Sequence, residues 1–257
     1  MDLTKDNITE LIKKIAIPAS VGTFFQTMYN LVDSKFAGLI SPEALTAIVK
    51  SFPIYLIIIA ASVGISAGTT ALISNTLGQK DTGKASVLFA QSIIVALLIT
   101  FVVTFIGIAS IKDILIILKS NNQIISYATD YMNVIFSGSI VIFLLVTINA
   151  SLVSRGDTKS YRNVLIFSFF LNILLNPLFI YGFYLIPAMG ISGIALATIV
   201  SELIGLIYLI YKINKTEIRE YLSPECFKPK ITLISDILKQ AVPSGLSMGM
   251  VGFGVFI

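Results

Sequence analysis

Long uncharged apolar runs, divided by short polar connections, set the plan of this chain. Residues 15–32, 52–77, 85–111 and 131–154 contain no Asp, Glu, Lys or Arg. A bilayer core about 30 Å thick takes about 20 apolar residues per helix, so each run predicts one crossing. A fifth uncharged run covers residues 163–201, 39 positions. As one helix it would be roughly 58 Å long at 1.5 Å per residue, nearly twice the core, so it is expected to fold back at Pro187 and Gly190. The polar connections 78–84 and 155–162 are short, which predicts antiparallel neighbours in a compact bundle. The expected fold class is therefore all-α: a polytopic membrane protein with a six-helix bundle.

A seventh, partial helix follows from a repeat. The phrase Ile12-x-Lys14-x-Ala16-Ile17-Pro18-Ala19 returns 225 residues later as Ile237-x-Lys239-x-Ala241-Val242-Pro243-Ser244. This reads as one repeat of a 6+6 transporter plus the start of the next. The expected organisation is a bundle at 1–212, a cytoplasmic linker at 213–233 and the truncated start of a second bundle at 234–257. The linker region carries Pro224, Pro229 and many charges, and is expected to lie on the membrane surface. Gly64 with Gly68, and Gly190 with Gly193, suit close approach of helix backbones, although glycine is common in membrane helices in any case.

Composition agrees: 56% of residues are hydrophobic, 12% are charged and mean hydropathy is +0.91, which excludes an ordinary soluble domain. Of the 18 Lys and Arg, fourteen fall on one side of the alternating helices and only four, Lys35, Lys50, Lys112 and Lys119, on the other. That asymmetry predicts a multi-pass protein of the inner (plasma) membrane with its amino terminus in the cytoplasm. The net charge of +4 then reflects topology, and no nucleic-acid partner is expected. Asp2, Asp6 and Glu10 precede the first span without a small-residue cleavage pattern, so that span is expected to be retained. There is no histidine, and Cys226 is the only cysteine, so imidazole-based metal sites, an internal disulfide and the usual enzymatic constellations are not expected. The chain reads as no enzyme and as needing no cofactor.

Polar residues at membrane depth carry the candidate chemistry. Asp33 follows 18 uncharged positions, and a carboxylate there costs about 2.5–3.5 kcal/mol on insertion scales, a cost that usually marks function. Gln26, Tyr29 and Asn30 lie with it along one helical side. The alternative places Asp33 at the outer interface beside Lys35. Asn172 and Asn176, four apart and followed by Pro177, can coordinate a cation, bond a buried acid, or simply join helices. Thr198 and Glu202 are four apart in an apolar segment; Glu202 is either a second ionisable site or a side chain that snorkels to the cytoplasmic interface. Asn149 and Gln91 read as interhelical hydrogen bonds first.

Several phrases together resemble the multidrug and toxic compound extrusion (MATE) family of cation-coupled antiporters. They are Ala16-Ile17-Pro18-Ala19, Tyr29-Asn30-Leu31-Val32-Asp33, Phe36-Ala37-Gly38 with Pro42-Glu43-Ala44-Leu45, Gly78-Gln79-Lys80-Asp81, Arg155-Gly156-Asp157-Thr158, and the stretches from Asn172 to Gly182 and Gly190 to Thr198. The resemblance implies two six-helix bundles around a central cavity, of which this chain supplies the amino-terminal one, so that a missing carboxy-terminal bundle, membrane lipids and a small-molecule substrate are the expected partners. It implies export of drugs or other amphipathic and cationic molecules in exchange for protons or sodium, with Asp33 as the coupling acid. The family's fifth-helix partners are an asparagine and, four residues on, an aspartate; Asn172 matches the first, but Asn176 stands at the second. One carboxylate where the family has two weakens the expectation of proton coupling, while Asp33, Asn172, Asn176 and Thr198 can still ligate sodium. Gln26, Tyr29, Asn30, Asn149 and Glu202 are expected to line the cavity. Two other readings share this fold: a flippase for lipid-linked precursors, which should line its cavity with several cations, and an inactive fragment of a transporter.

Overall fold

The computed structural model describes residues 8–254. Six long helices come first: α1 (Ile8–Ile40), α2 (Pro42–Gly78), α3 (Thr82–Ile117), α4 (Asn122–Val153), α5 (Lys159–Tyr181) and α6 (Ile191–Ile213). A short helix α7 (Glu217–Glu220) and a 3-10 turn (Pro224–Phe227) interrupt the linker, and α8 (Ile231–Gly254) follows. Lys5, one of the amino-terminal basic residues, lies outside the described residues, as do the side chains of Ile12 and Lys14. Among the described residues five helices, α2 to α6, are long and apolar enough to cross a membrane. α1 has the length, but Gln26, Asn30 and Asp33 interrupt its apolarity. The price of carrying a polar strip is a weaker membrane signal.

Local chemistry explains where the helices begin. Ser41 Oγ accepts from Ala44 N at 3.0 Å, Asp81 Oδ1 from Lys84 N at 2.9 Å and Asn121 Oδ1 from Ile124 N at 2.8 Å, each meeting a backbone N–H that the first turn leaves unpaired. Asp157 does the same for α5, accepting from Ser160 N at 3.0 Å. The expected fold-back between α5 and α6 occurs at residues 182–190. Gly182 (φ 76°) and Gly190 (φ 55°) supply left-handed backbone, and Met189 N donates back to Phe179 O at 2.9 Å. Gly193 lets the start of α6 lie directly on this turn, since a Cβ there would sit 2.6 Å from the carbonyl carbon of Phe179.

α4 and α6 form the interior of the bundle, with α3 and α5 more peripheral. Phe136, Phe143, Met132 and Ile135 of α4 are among the largest fully buried side chains. Lys50 Nζ donates to Leu118 O and Ser120 Oγ at 3.1 Å at one end of the bundle, while Arg155 pairs with Glu217 at 3.8 Å at the other. The connections therefore alternate between ends as the basic-residue count assumed.

Two long-range contacts fasten the carboxy-terminal segments to the bundle. Gln91 makes no interhelical bond. Buried in α3, it donates through Nε2 to Cys226 O at 2.7 Å and Lys228 O at 2.8 Å and accepts from Lys230 N at 2.8 Å. Ser86 Oγ adds a bond to Ile218 O at 2.9 Å. The linker is thus fastened to α3, because one buried amide meets three backbone groups that would otherwise be unpaired. Gln91→Ala should release it: hydrogen exchange at the Lys230 amide and trypsin cleavage after Lys230 should both accelerate, with about 1–3 kcal/mol of local stability lost. Unchanged protection at Lys230 would show that the clasp carries no energy.

The second contact joins α8 to α2. A Cβ on Gly64 would lie 2.5 Å from Ala241 O, and one on Gly68 2.7 Å from Ile237 O. Two glycines of α2 therefore touch the backbone of the repeated phrase itself. Gly190, which the sequence paired with Gly193 as a packing residue, has open space around it and serves the turn instead.

Candidate functional site around Asp33

α5 buries one residue in four: Ser160, Val164, Ser168, Asn172, Asn176 and Ile180. This spacing draws a single narrow stripe along the helix, mostly polar, turned toward α1 and α6. α5 continues through Pro177 to Tyr181, so the proline leaves the stripe intact.

Asp33 meets that stripe. It is only 6% exposed. Asn176 Nδ2 donates to Asp33 Oδ1 at 3.0 Å and, through its second hydrogen, to Asn172 Oδ1 at 2.8 Å. Thr198 Oγ1 lies 2.9 Å from Asp33 Oδ2 and 3.1 Å from Ile194 O, with one proton to give. Three helices, α1, α5 and α6, thus converge on one carboxylate, and its hydrogen-bond donors are a neutral amide and a hydroxyl. Among the described residues no Lys or Arg pairs with it.

Two atoms of the cluster remain unmatched. Asn176 Oδ1 and Asn172 Nδ2 are buried without a hydrogen-bond partner. A carboxylate beside an orphaned amide oxygen is an oxygen-rich, net-negative pocket, the donor set hard cations prefer. Among the described residues no three of His, Cys, Asp and Glu gather.

The remaining predicted residues line neighbouring cavities that share wall residues. Tyr29, Asn30, Asp33 and Thr198 line one of about 290 Å³. Gln26, Asn149 and Glu202 line another of about 590 Å³. A void of about 30 Å³ touches both sets, with Tyr29 and Asn30 on one side and Gln26 and Glu202 on the other. Within α1 the strip divides: Tyr29 and Asp33 are buried, while Gln26 and Asn30 are exposed. Glu202 is half-buried, with one of its oxygens fully buried. Tyr55 lines all three spaces and Tyr161 two of them. Neither emerged from the sequence: Tyr55 stands inside an apolar run and Tyr161 in a polar connection, and neither position carries a periodic signal. Ser168, which donates to Ser201 O at 3.2 Å, was legible only as one step of the fourfold stripe.

The MatE family profile matches residues 18–178, the segment that holds α2 to α4, nearly all of α5 and the polar part of α1. The chain belongs to the MatE family. It is 28% identical over 263 residues to a probable multidrug resistance protein, NorM, of Thermotoga maritima, covering 99% of this chain and 55% of that protein. It is 27% identical over 199 residues to the FAD transporter of Shewanella oneidensis, covering 77% and 44%. A solved MOP-superfamily transporter from Pyrococcus furiosus superposes with a TM-score of 0.84 at 27% identity, covering 96% of this chain and 54% of that one. A further structure, an outward-facing multidrug resistance MATE family transporter, gives the same TM-score. The chain spans about half the length of the relatives it matches. Its fold is that of a helical membrane protein of the MatE family.

Proposed function

We propose that this chain forms the amino-terminal, ion-coupling half of an antiporter that exports amphipathic or cationic small molecules, with its amino terminus in the cytoplasm and Asp33 as the coupling site. One observation carries the reading: a carboxylate of the opening long helix, 6% exposed, is held by neutral donors from two other helices and, among the described residues, has no basic partner. Left ionised it is costly; a proton or sodium ion removes the cost. Binding and release at Asp33 therefore change the stability of the packing of α1 against α5 and α6, which is what alternating access requires. The names of similar proteins, multidrug resistance proteins and an FAD transporter, support export while differing in cargo. Among the described residues no Lys or Arg lines the cavities at Asp33 and Glu202, which favours a cationic cargo over the anionic head group of a lipid-linked precursor.

The test is transport in liposomes containing the protein expressed from its complete reading frame, under imposed gradients. Efflux of a fluorescent cationic dye should run only when a proton or sodium gradient is present, and the competent gradient identifies the coupling ion. Equal efflux without either gradient would end the antiport reading.

A further inference from the structure

The large cavity has a carboxylate of its own. Glu202 stands at the midpoint of α6, eleven residues from either end and one turn from Thr198. Its Oε2 is buried and accepts no hydrogen bond, and among the described residues no Lys or Arg pairs with it. Asn149 Oδ1, from α4, is likewise buried without a donor and lines the same cavity. Both orphaned atoms are acceptors, so neither can satisfy the other. What the cavity lacks is a positive charge or a proton. Tyr55 and Tyr161 complete the wall, and their ring faces also favour a cation. A cavity of about 590 Å³ exceeds a bare ion and suits a hydrated cation or an ammonium head.

We propose that Glu202 and Asn149 form a second site for a monovalent cation, in series with Asp33 and separated from it by the neck at Tyr29 and Tyr55. The bundle then holds two exchangeable positive charges. The neck, about 30 Å³, has room for a water molecule and is lined by Glu202 and by Tyr29, whose Oη is buried and unpartnered. The sites are adjacent because Thr198 and Glu202 are one turn apart on α6, about 6 Å along its axis. This rests on the reading of Asp33 as a cation site, and the test separates the two.

The test is stoichiometric binding to the purified protein expressed from its complete reading frame. Three probes are used: radioactive sodium, tetramethylammonium, and protons followed by the carboxylic C=O stretch in infrared difference spectra. Glu202→Gln should remove one equivalent of at least one probe while the Asp33-dependent equivalent persists, which also shows that the variant folds. Asn149→Leu should weaken that same equivalent about tenfold, as expected for one lost polar ligand. Loss of tetramethylammonium alone identifies an organic ammonium as the ligand, and loss of sodium or a proton identifies an inorganic one. If Glu202→Gln leaves all three probes unchanged, the second site is overturned. If instead Asp33→Asn changes nothing while Glu202→Gln removes an equivalent, the Asp33 reading fails and the Glu202 site stands.

Discussion

Asp33→Asn should abolish cation-driven export while the protein still inserts and folds. The new amide oxygen can accept from Asn176 Nδ2, now 3.0 Å from Asp33 Oδ1. The new amide nitrogen faces Thr198 Oγ1, which can turn its proton to Ile194 O, 3.1 Å away, and accept in place of donating. Hydrogen bonding is thus conserved and only the charge is lost. Removing one partner of a buried charge pair costs about 2–5 kcal/mol, roughly 30- to 5,000-fold in cation affinity. Gradient-driven dye efflux should therefore fall to background with unaltered membrane yield and melting temperature. Undiminished efflux by Asp33→Asn would discard the mechanism.

Gly64→Leu should break the contact between α2 and α8. A Cβ at position 64 meets backbone atoms of Ala241, the oxygen at 2.5 Å and the carbon at 3.3 Å, and backbone cannot rotate away as a side chain would. α8 must move out, at an overpacking cost of about 1–3 kcal/mol. Proximity nearby offers the readout: a Cβ on Gly249 would lie 3.9 Å from Ala60 Cβ, within the 3.5–4.5 Å range that a disulfide needs. The pair Ala60→Cys with Gly249→Cys, made on a Cys226→Ser background, should cross-link under mild oxidation. Adding Gly64→Leu should suppress that cross-link at least about tenfold, the population shift expected from 1.4 kcal/mol. An equal cross-linking rate would mean that the glycines are incidental to this packing.

Local pattern stops being informative where two polar side chains occupy one face of a helix. Asn172 and Asn176 were indistinguishable in sequence as ligands for Asp33, yet the structure gives the direct bond to Asn176 and leaves Asn172 to orient it. Glu202 could snorkel or stay inside, and the structure buries one of its oxygens in the cavity wall that it shares with Asn149 and Tyr161. Gln91 read as a helix-joining amide and turned out to clasp the linker. In each case the alternatives had the same chemistry and nearly the same helical position. What distinguished them was the neighbour on another helix.

Apolar length and the positions of turn residues, prolines and charges were enough to establish an all-helical membrane protein, its six-helix plan with the fold-back near Pro187, the repeated phrase that opens α8, and Asp33 as the residue of interest. These are local properties, governed by hydrocarbon thickness and by the backbone's need to satisfy its own hydrogen bonds in lipid. Tertiary structure alone decided which polar groups meet: Asp33 with Asn176 across 143 positions and with Thr198 across 165, and Gln91 with the linker across 135 to 139. Such pairings follow from the rotation and depth of whole helices against one another, set by close-packed contacts such as Gly64 on Ala241, and no window of neighbouring residues records them.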